Sequence, residues 1–377
     1  MNKYSTVVGI DVGDKYCHFC VTDHHGVVME EGRVMTNKLA LRRKFEKMDC
    51  ARIALEAGTH SPWISRALSK WGHEVFVANP SKVALIYANS SKHDALDARC
   101  LARLARFDTD LLFPIEHRNA QTQADLAVLR ARDAVVKART QLINHVRGAM
   151  KAMGYRAKAC SAECFHKKVG AQIPKELYAA LSPVIGVIKS LTEQIKGYDS
   201  VLNEMIEKRY GVANLLQEIK GVGPVTSLAF VLTIENPHRF ASSRSVGAYL
   251  GLVPRRDQSG DSDPQLRITK RGDCMVRRLL VGAANYIMGP FGPDTELRRW
   301  GFALAEGGSK RAKRRAKVAV ARKLSVLMHR MWVTGEVYQP IGYAQNDTQA
   351  KPAGSDEIDR KRPFSPAGLA CSARSTK

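Results

Sequence analysis

The first 107 residues alternate short apolar runs with amphipathic ones, in an order that few folds accommodate. Thr6-Val7-Val8-Gly9-Ile10-Asp11 is an apolar strand that ends on an acid. Tyr16 to Thr22 and Val27 to Val34 read as two further strands, joined by the turn Asp23-His24-His25-Gly26. A helical segment covers Lys38 to Lys47, and Ala51 to Glu56 is a second buried-type strand ending on a carboxylate. A helix from Pro62 to Trp71 and a strand over Glu74 to Ala78 follow. Lys92-His93-Asp94-Ala95-Leu96-Asp97-Ala98-Arg99 then opens a closing helix that runs to Phe107.

Three strands, a helix, a strand, a helix, a strand and a closing helix is the order expected of an RNase H-like α/β domain. In that arrangement Asp11, Glu56, Asp94 and Asp97 make one acidic pocket. On the closing helix, positions three and four apart share a face, so Asp94 and Asp97 head the stripe that Leu101 and Leu104 continue inward. Clustered carboxylates repel one another unless hard cations such as Mg²⁺ hold them. The plainer alternative is that the two aspartates answer the helix dipole, while Asp11 and Glu56 begin ordinary turns. A second alternative starts from Gly9-Ile10-Asp11-Val12-Gly13, which resembles the first phosphate loop of actin-like and sugar kinases. The second Asp-x-Gly loop and the glycine-rich adenosine segment such kinases need have no convincing counterpart here.

Charge narrows the partner. Fifty-nine Lys and Arg against 36 Asp and Glu give a formal +23, which points to a polyanion, most often nucleic acid. No apolar run approaches the roughly 20 residues that span a bilayer, and the N-terminus lacks a secretory pattern, so no membrane partner and a cytoplasmic location are expected. The eight scattered cysteines are expected to be reduced. Cys17 and Cys20 fall on opposite faces of one strand, and Cys160, Cys164 and His166 lack a nearby fourth ligand for zinc.

From Gln121 the texture changes to long helices. Val128, Ala131, Val135, Ala138, Leu142, Val146, Ala149 and Met153 recur at three- and four-residue steps. Val184, Ile188, Leu191, Ile195, Tyr198, Leu202 and Met205 keep the alternating steps of a heptad seam. These helices predict a coiled-coil region over 119–210, either an antiparallel hairpin or a contact between protomers, with core packing inside one chain as the alternative. Arg130, Arg132, Lys137, Arg139 and Arg147 suit phosphate contact on the other face, as they would suit a solvated one.

A further, mainly helical domain is predicted over 211–338. Gly221-Val222-Gly223-Pro224 reads as the turn of a helix-hairpin-helix, whose backbone N–H groups bind a phosphate. Gly251-Leu252-Val253-Pro254-Arg255-Arg256-Asp257-Gln258-Ser259-Gly260 leads into a polar loop that ends with Arg267-Ile268-Thr269-Lys270-Arg271-Gly272-Asp273, ahead of a helix bearing Arg277 and Arg278. Arginines and a lysine around a serine hydroxyl make a candidate phosphate clamp. Lys310-Arg311-Ala312-Lys313-Arg314-Arg315-Ala316-Lys317 is a basic helical segment suited to backbone neutralisation. The tail over 340–377, rich in Pro, Gly, Ser and charge, is predicted to be disordered.

Taken in order, Asp11, Glu56, Asp94-x-x-Asp97, Gly221-x-Gly223, Gly251-Leu252-x-Pro254-Arg255-Arg256-x-x-Ser259-Gly260 and Arg267-x-x-Lys270-x-Gly272 resemble the DEDD insertion-sequence transposases. That group includes the Piv-type invertases and the bridge-RNA-guided recombinases. The resemblance implies a RuvC-like Mg²⁺ site over 1–110 and a nucleophilic role for Ser259. Arg255, Arg256, Arg267 and Lys270 would orient a DNA phosphate. It also implies double-stranded donor and target DNA and a bridge RNA as partners, in a homo-oligomer whose two sites meet within one chain or between protomers. The chain departs from the family in the run after the serine, which reads Gly260-Asp261-Ser262-Asp263-Pro264 rather than Gly/Ser/Arg-rich. The alternatives are a RuvC-like junction nuclease in which Ser259 is structural, and a nucleic-acid-binding protein with an inactive acidic site.

Overall fold

The computed structural model describes residues 5–83, 94–260, 262, 264, 266–306 and 308–341. The chain forms two compact units, Met1–Ala127 and Val128–Lys377. Lys92, His93, Asp261, Asp263 and the tail from 342 onward lie outside the described residues.

In the first unit, β1 (Thr6–Val12), β2 (Tyr16–Asp23) and β3 (Val28–Met35) are followed by α1 (Lys38–Phe45), β4 (Arg52–Glu56) and α2 (Ser61–Lys70). Then come β5 (Glu74–Ala78), the short α3 (Pro80–Val83) and α4 (Asp94–Phe107). The sheet order is β3-β2-β1-β4-β5. β2 runs antiparallel to β1 and β3, whereas β4 runs parallel to β1 and β5. This mixed five-stranded sheet is consistent with the RNase H-like domain that the element order predicts.

Strand alternation gives the sheet two apolar faces. Val8 and Ile10 of β1 join Phe19, Leu41, Phe45, Ile64 and Leu68 in the larger core. Val7 points the other way, into a cluster with Ala54, Leu101 and Ala105. Gly9, on that second face, lies beneath α4. A Cβ on Gly9 would stand 2.0 Å from the Ala98 carbonyl oxygen and 2.4 Å from the Ala102 nitrogen, so the backbone of α4 rests directly on β1. Small residues permit this approach from the helix side too: Ala98, Ala102 and Ala105 are fully buried with Leu101. Leu104, expected on the inward stripe, is only half-buried, because the alanines carry the contact. Arg99 then ties α4 to β3 through a two-pronged pair with Glu31, both distances 2.7 Å.

The second unit takes α5 (Ala120–Ala152) from Val128 onward, α6 (Phe165–Gly170), α7 (Lys175–Arg209), α8 (Val212–Gln217) and α9 (Pro224–Ile234). α10 (Ser245–Tyr249), α11 (Cys274–Ile287), α12 (Glu296–Ala305) and α13 (Lys310–Thr334) complete it. α5 and α7 pair within the chain. Arg132 bonds Asp199 at 2.6 Å and Arg139 bonds Thr192 at 3.3 Å, so numbers fall along one helix as they rise along the other, and the pair is antiparallel. α6 caps the pair, burying Phe165 and Val169 against Ile143, Val146, Met150, Leu181 and Ile188.

Two expectations for these helices need correction. The buried stripe of α5 is rotated by about one residue from the predicted one. Leu129, Ile143, Val146 and Met150 are buried, whereas Val128, Ala131, Val135 and Ala138 are half-buried and Met153 is exposed. The cause is that α5 sets arginines into its interface, which the spacing of apolar residues alone does not register. The basic side chains expected to face phosphate are correspondingly engaged: Arg139 is 7% exposed, Arg130 pairs with Asp273 at 3.1 Å, Lys137 with Asp133 at 2.8 Å, and Arg147 lies over the Phe165 ring. Among the described residues, no helix is long and apolar enough to cross a membrane.

His329 of α13 is 2% exposed, and its two ring nitrogens are satisfied by the Ser243 hydroxyl and the Pro237 carbonyl, both at 2.9 Å. Burial holds its pKa below the ordinary 6.5, against the opposing effect of the Pro237 bond. The folded state therefore keeps a neutral ring that the unfolded chain protonates more readily. The stability this contributes is complete above pH 6.5 and falls as the pH drops below it. Denaturant unfolding of the second unit between pH 7.5 and 5.5 should show that loss, and His329→Gln should reduce the pH dependence; an equal slope in both proteins would contradict it. In the first unit, Gly9→Ala should cost about 3 kcal/mol, because the new methyl meets backbone rather than a side chain that can turn away. Hydrogen exchange in β1 and α4 reads this out, and unchanged protection would contradict the contact.

Candidate active site

The sheet register assembles the acidic end of the first unit. Antiparallel pairing sets His18 directly opposite Asp11. In the parallel pair β1–β4 the last matched residues are Ile10 and Leu55, so Asp11 and Glu56 come next on neighbouring strands, on the face toward α4. α4 begins at Asp94. With its backbone pressed onto Gly9, the helix delivers that carboxylate to the end of β1. Asp11, His18 and Asp94 each place a ligand atom within 4.8 Å of the other two, and His18 Nδ1 lies 3.6 Å from Asp94 Oδ2. Among the described residues this is the only group of three His, Cys, Asp or Glu that converges so closely.

Of the four carboxylates singled out by sequence, then, Asp11 and Asp94 share this group, which Glu56 and Asp97 do not join. His18 is the member that sequence reasoning missed. Its signal was the hairpin itself: once β1 and β2 are joined by a tight turn, the residue facing Asp11 follows from counting across it. The group opens to solvent, with Asp11 and His18 half-buried and Asp94 exposed. Two carboxylates and an imidazole nitrogen at this spacing fit a divalent cation. Nearby thiols do not compete. Cys17 faces the larger core and Cys20 faces α4, and burial pushes the Cys20 thiol up to about 12. Cys160, Cys164 and His166 do not converge within ligand range.

In the second unit, Ser259 lies near the tip of an irregular hairpin. Thr269 N–H donates to the Val253 carbonyl and Arg255 N–H to the Arg267 carbonyl, both at 2.9 Å, which sets Arg255 opposite Arg267. Farther out, Ser259 and Ser262 exchange backbone bonds of 3.1 and 3.0 Å. The backbone of Ser259 is thus fixed while the residue is exposed, as are Arg255, Arg256, Arg267 and Lys270. The base of the hairpin is held by Arg277, whose guanidinium donates to the carbonyls of Leu250 at 2.9 Å and Arg271 at 2.7 Å. Arg278 pairs with Asp133, which leaves neither arginine for the expected clamp.

Gly221 and Gly223 lie between α8 and α9. Gly221 has φ +102° and packs against Tyr286 and Ala283 of α11, so its lack of a side chain serves the fold first. α9 starts on Pro224, which has no N–H, and Thr226 and Ser227 bond the Gly223 carbonyl.

Comparison with known proteins agrees with both halves of the chain. The model of the IS110-type DEDD transposase matches residues 8–154, and the model described as Transposase IS116/IS110/IS902 family matches residues 213–296. The transposase for insertion sequence element IS1111A of Coxiella burnetii is 28% identical, over 88% of this chain and 91% of its own. The putative transposase y4pF/y4sB of Sinorhizobium fredii is 30% identical, over 85% of this chain and 84% of its own. A probable family 20 transposase of Pseudomonas aeruginosa is 27% identical, over 88% and 98% respectively. With a DEDD-type sheet domain at one end, the IS116/IS110/IS902 region at the other and relatives matched along most of their length, this chain belongs to the IS110-type DEDD transposases, enzymes that cut and rejoin DNA.

Proposed function

We propose that the chain performs transposition with two chemical centres, a divalent-metal site on the first unit and a serine nucleophile on the second. The convergence of Asp11, His18 and Asp94 carries this reading, because three ligand atoms gathered at one solvent-open edge of the sheet have no evident packing role. In this reading Asp11 and Asp94 hold the cation, His18 supplies a nitrogen beside them, and Glu56 and Asp97 complete the acidic surround. Mg²⁺ bound there would polarise a phosphate oxygen and offset charge that develops on the departing one.

The chain's own groups do the rest. The Ser259 hydroxyl attacks phosphorus, forming a serine–phosphate ester as one phosphodiester P–O bond breaks, and the hydroxyl proton ends on the departing oxygen. Reversal by a different strand end restores a phosphodiester without an external energy source. Arg255, Arg256, Arg267 and Lys270, exposed around the same hairpin, orient the phosphate, and Gly221 and Gly223 approach the backbone. Donor and target duplexes are the substrates. A bridge RNA and a homo-oligomer complete the assembly; the resemblance to guided recombinases supports the RNA, and a net charge of +23 suits polyanions of either kind.

Labelled duplex incubated with Mg²⁺ and resolved on a denaturing gel, with and without protease, tests the reading. Wild type should give protease-sensitive retarded DNA, and Ser259→Ala should give neither cutting nor adduct, with folding unchanged. Free cut ends from Ser259→Ala would instead support a nuclease that uses water. Asp94→Asn should bind DNA normally yet fail to cut it, since the change removes a ligand charge at nearly constant size; full cleavage by that variant would contradict the metal site.

A further inference from the structure

A protein that grips a polyanion needs cations that its own carboxylates have not already taken. By that criterion most of the basic side chains of α5 differ from those at the start of α13. In α5, Arg130, Arg132, Lys137, Arg139 and Arg147 are engaged within the fold, through Asp273, Asp199, Asp133, Thr192 and the Phe165 ring, and Arg277 and Arg278 hold the hairpin base and Asp133. α13 divides along its length. In its later turns Arg322 packs against Gly247, Lys323 lies 4.8 Å from the Trp300 ring centre and Arg330 pairs with Glu336 at 3.5 Å. In its first turns Lys310, Arg311, Lys313 and Arg314 are exposed, and none pairs with a carboxylate among the described residues.

The helix is anchored elsewhere, through Ala316, Val320, Ala321 and Leu324, all at most 2% exposed, so the cationic turns are fixed rather than frayed. A rise of about 1.5 Å per residue sets the four charges within about 6 Å along the axis. They also stand at the positive end of the helix dipole, where Ser309 Oγ caps the Ala312 N–H at 3.3 Å. Four exposed cations clustered within two turns, none of them in an ion pair with a described carboxylate, select a phosphate backbone over an apolar partner.

We infer that the first two turns of α13 form a sequence-independent grip on the backbone of duplex DNA, and that α5 does not. The inference rests on the reading that this chain acts on duplex DNA. It makes Lys310, Arg311, Lys313 and Arg314 contributors to affinity that leave base choice untouched.

The experiment measures binding of the full-length protein to a labelled duplex of arbitrary sequence by fluorescence anisotropy across a salt series. A quadruple variant, K310Q/R311Q/K313Q/R314Q, should lower the slope of log affinity against log salt by about 3 to 4, at about 0.9 for each phosphate that is no longer neutralised. The α5 double variant R130Q/K137Q should retain the wild-type slope. R311K/R314K, which keeps the charge, should also retain it, separating removal of charge from damage to the fold. A quadruple variant with the wild-type slope overturns the inference while leaving the DNA reading intact. A quadruple variant whose slope falls on structured RNA alone overturns the assignment to DNA. Wild type that does not bind the duplex at low salt overturns the underlying reading and the inference with it.

Discussion

The candidate active site depends on the contact between the α4 backbone and Gly9. Helices usually stand off a sheet by the length of their side chains, but here a methyl group at position 9 would already overlap the helix backbone. That closeness sets where the first residue of α4 falls. Asp94 is exposed and held by no side chain of the core, so its position near Asp11 and His18 is inherited from the alanines and the glycine further along. The Arg99–Glu31 pair adds a lateral tie to β3, and Arg99 in turn holds the Glu31 carboxyl below its usual range.

Much of this was legible in the sequence because the first unit follows local rules. The apolar runs of β1, β2, β4 and β5 mark their strands, and the acids at 11 and 56 fall at or within one residue of strand ends, as predicted; that those strands pair in parallel is what the register adds. His18 was not legible from composition, since one histidine in an apolar strand carries no mark that sets it apart. Only the register across the hairpin brings it to Asp11. The inward stripe of α4 was read by hydrophobicity, which favoured Leu104, whereas the structure uses small size, which hydrophobicity does not measure.

The second unit shows the opposite weakness. Charged residues there were read as solvent-facing or phosphate-facing, yet Arg132, Arg139 and Arg277 serve as internal connectors. Asp133 shows how closely this network is bound: burial pushes its pKa up, and Arg278 and Lys137 more than reverse the effect. Sequence reports how many cations a chain has, and only the fold reports which remain unspent. That distinction withdraws Arg132 and Arg139 from the phosphate-facing set, while Lys310, Arg311, Lys313 and Arg314, read from sequence as suited to backbone neutralisation, remain exposed.

If Asp11 and Asp94, brought together by the α4 contact, form one divalent-metal site, each should be needed for the cation to bind at all. Titration calorimetry of Mn²⁺ into wild type, Asp11→Asn and Asp94→Asn measures this without requiring DNA or turnover. Binding to wild type should be saturable, and both variants should weaken it greatly. Binding unchanged by either substitution would contradict the shared site.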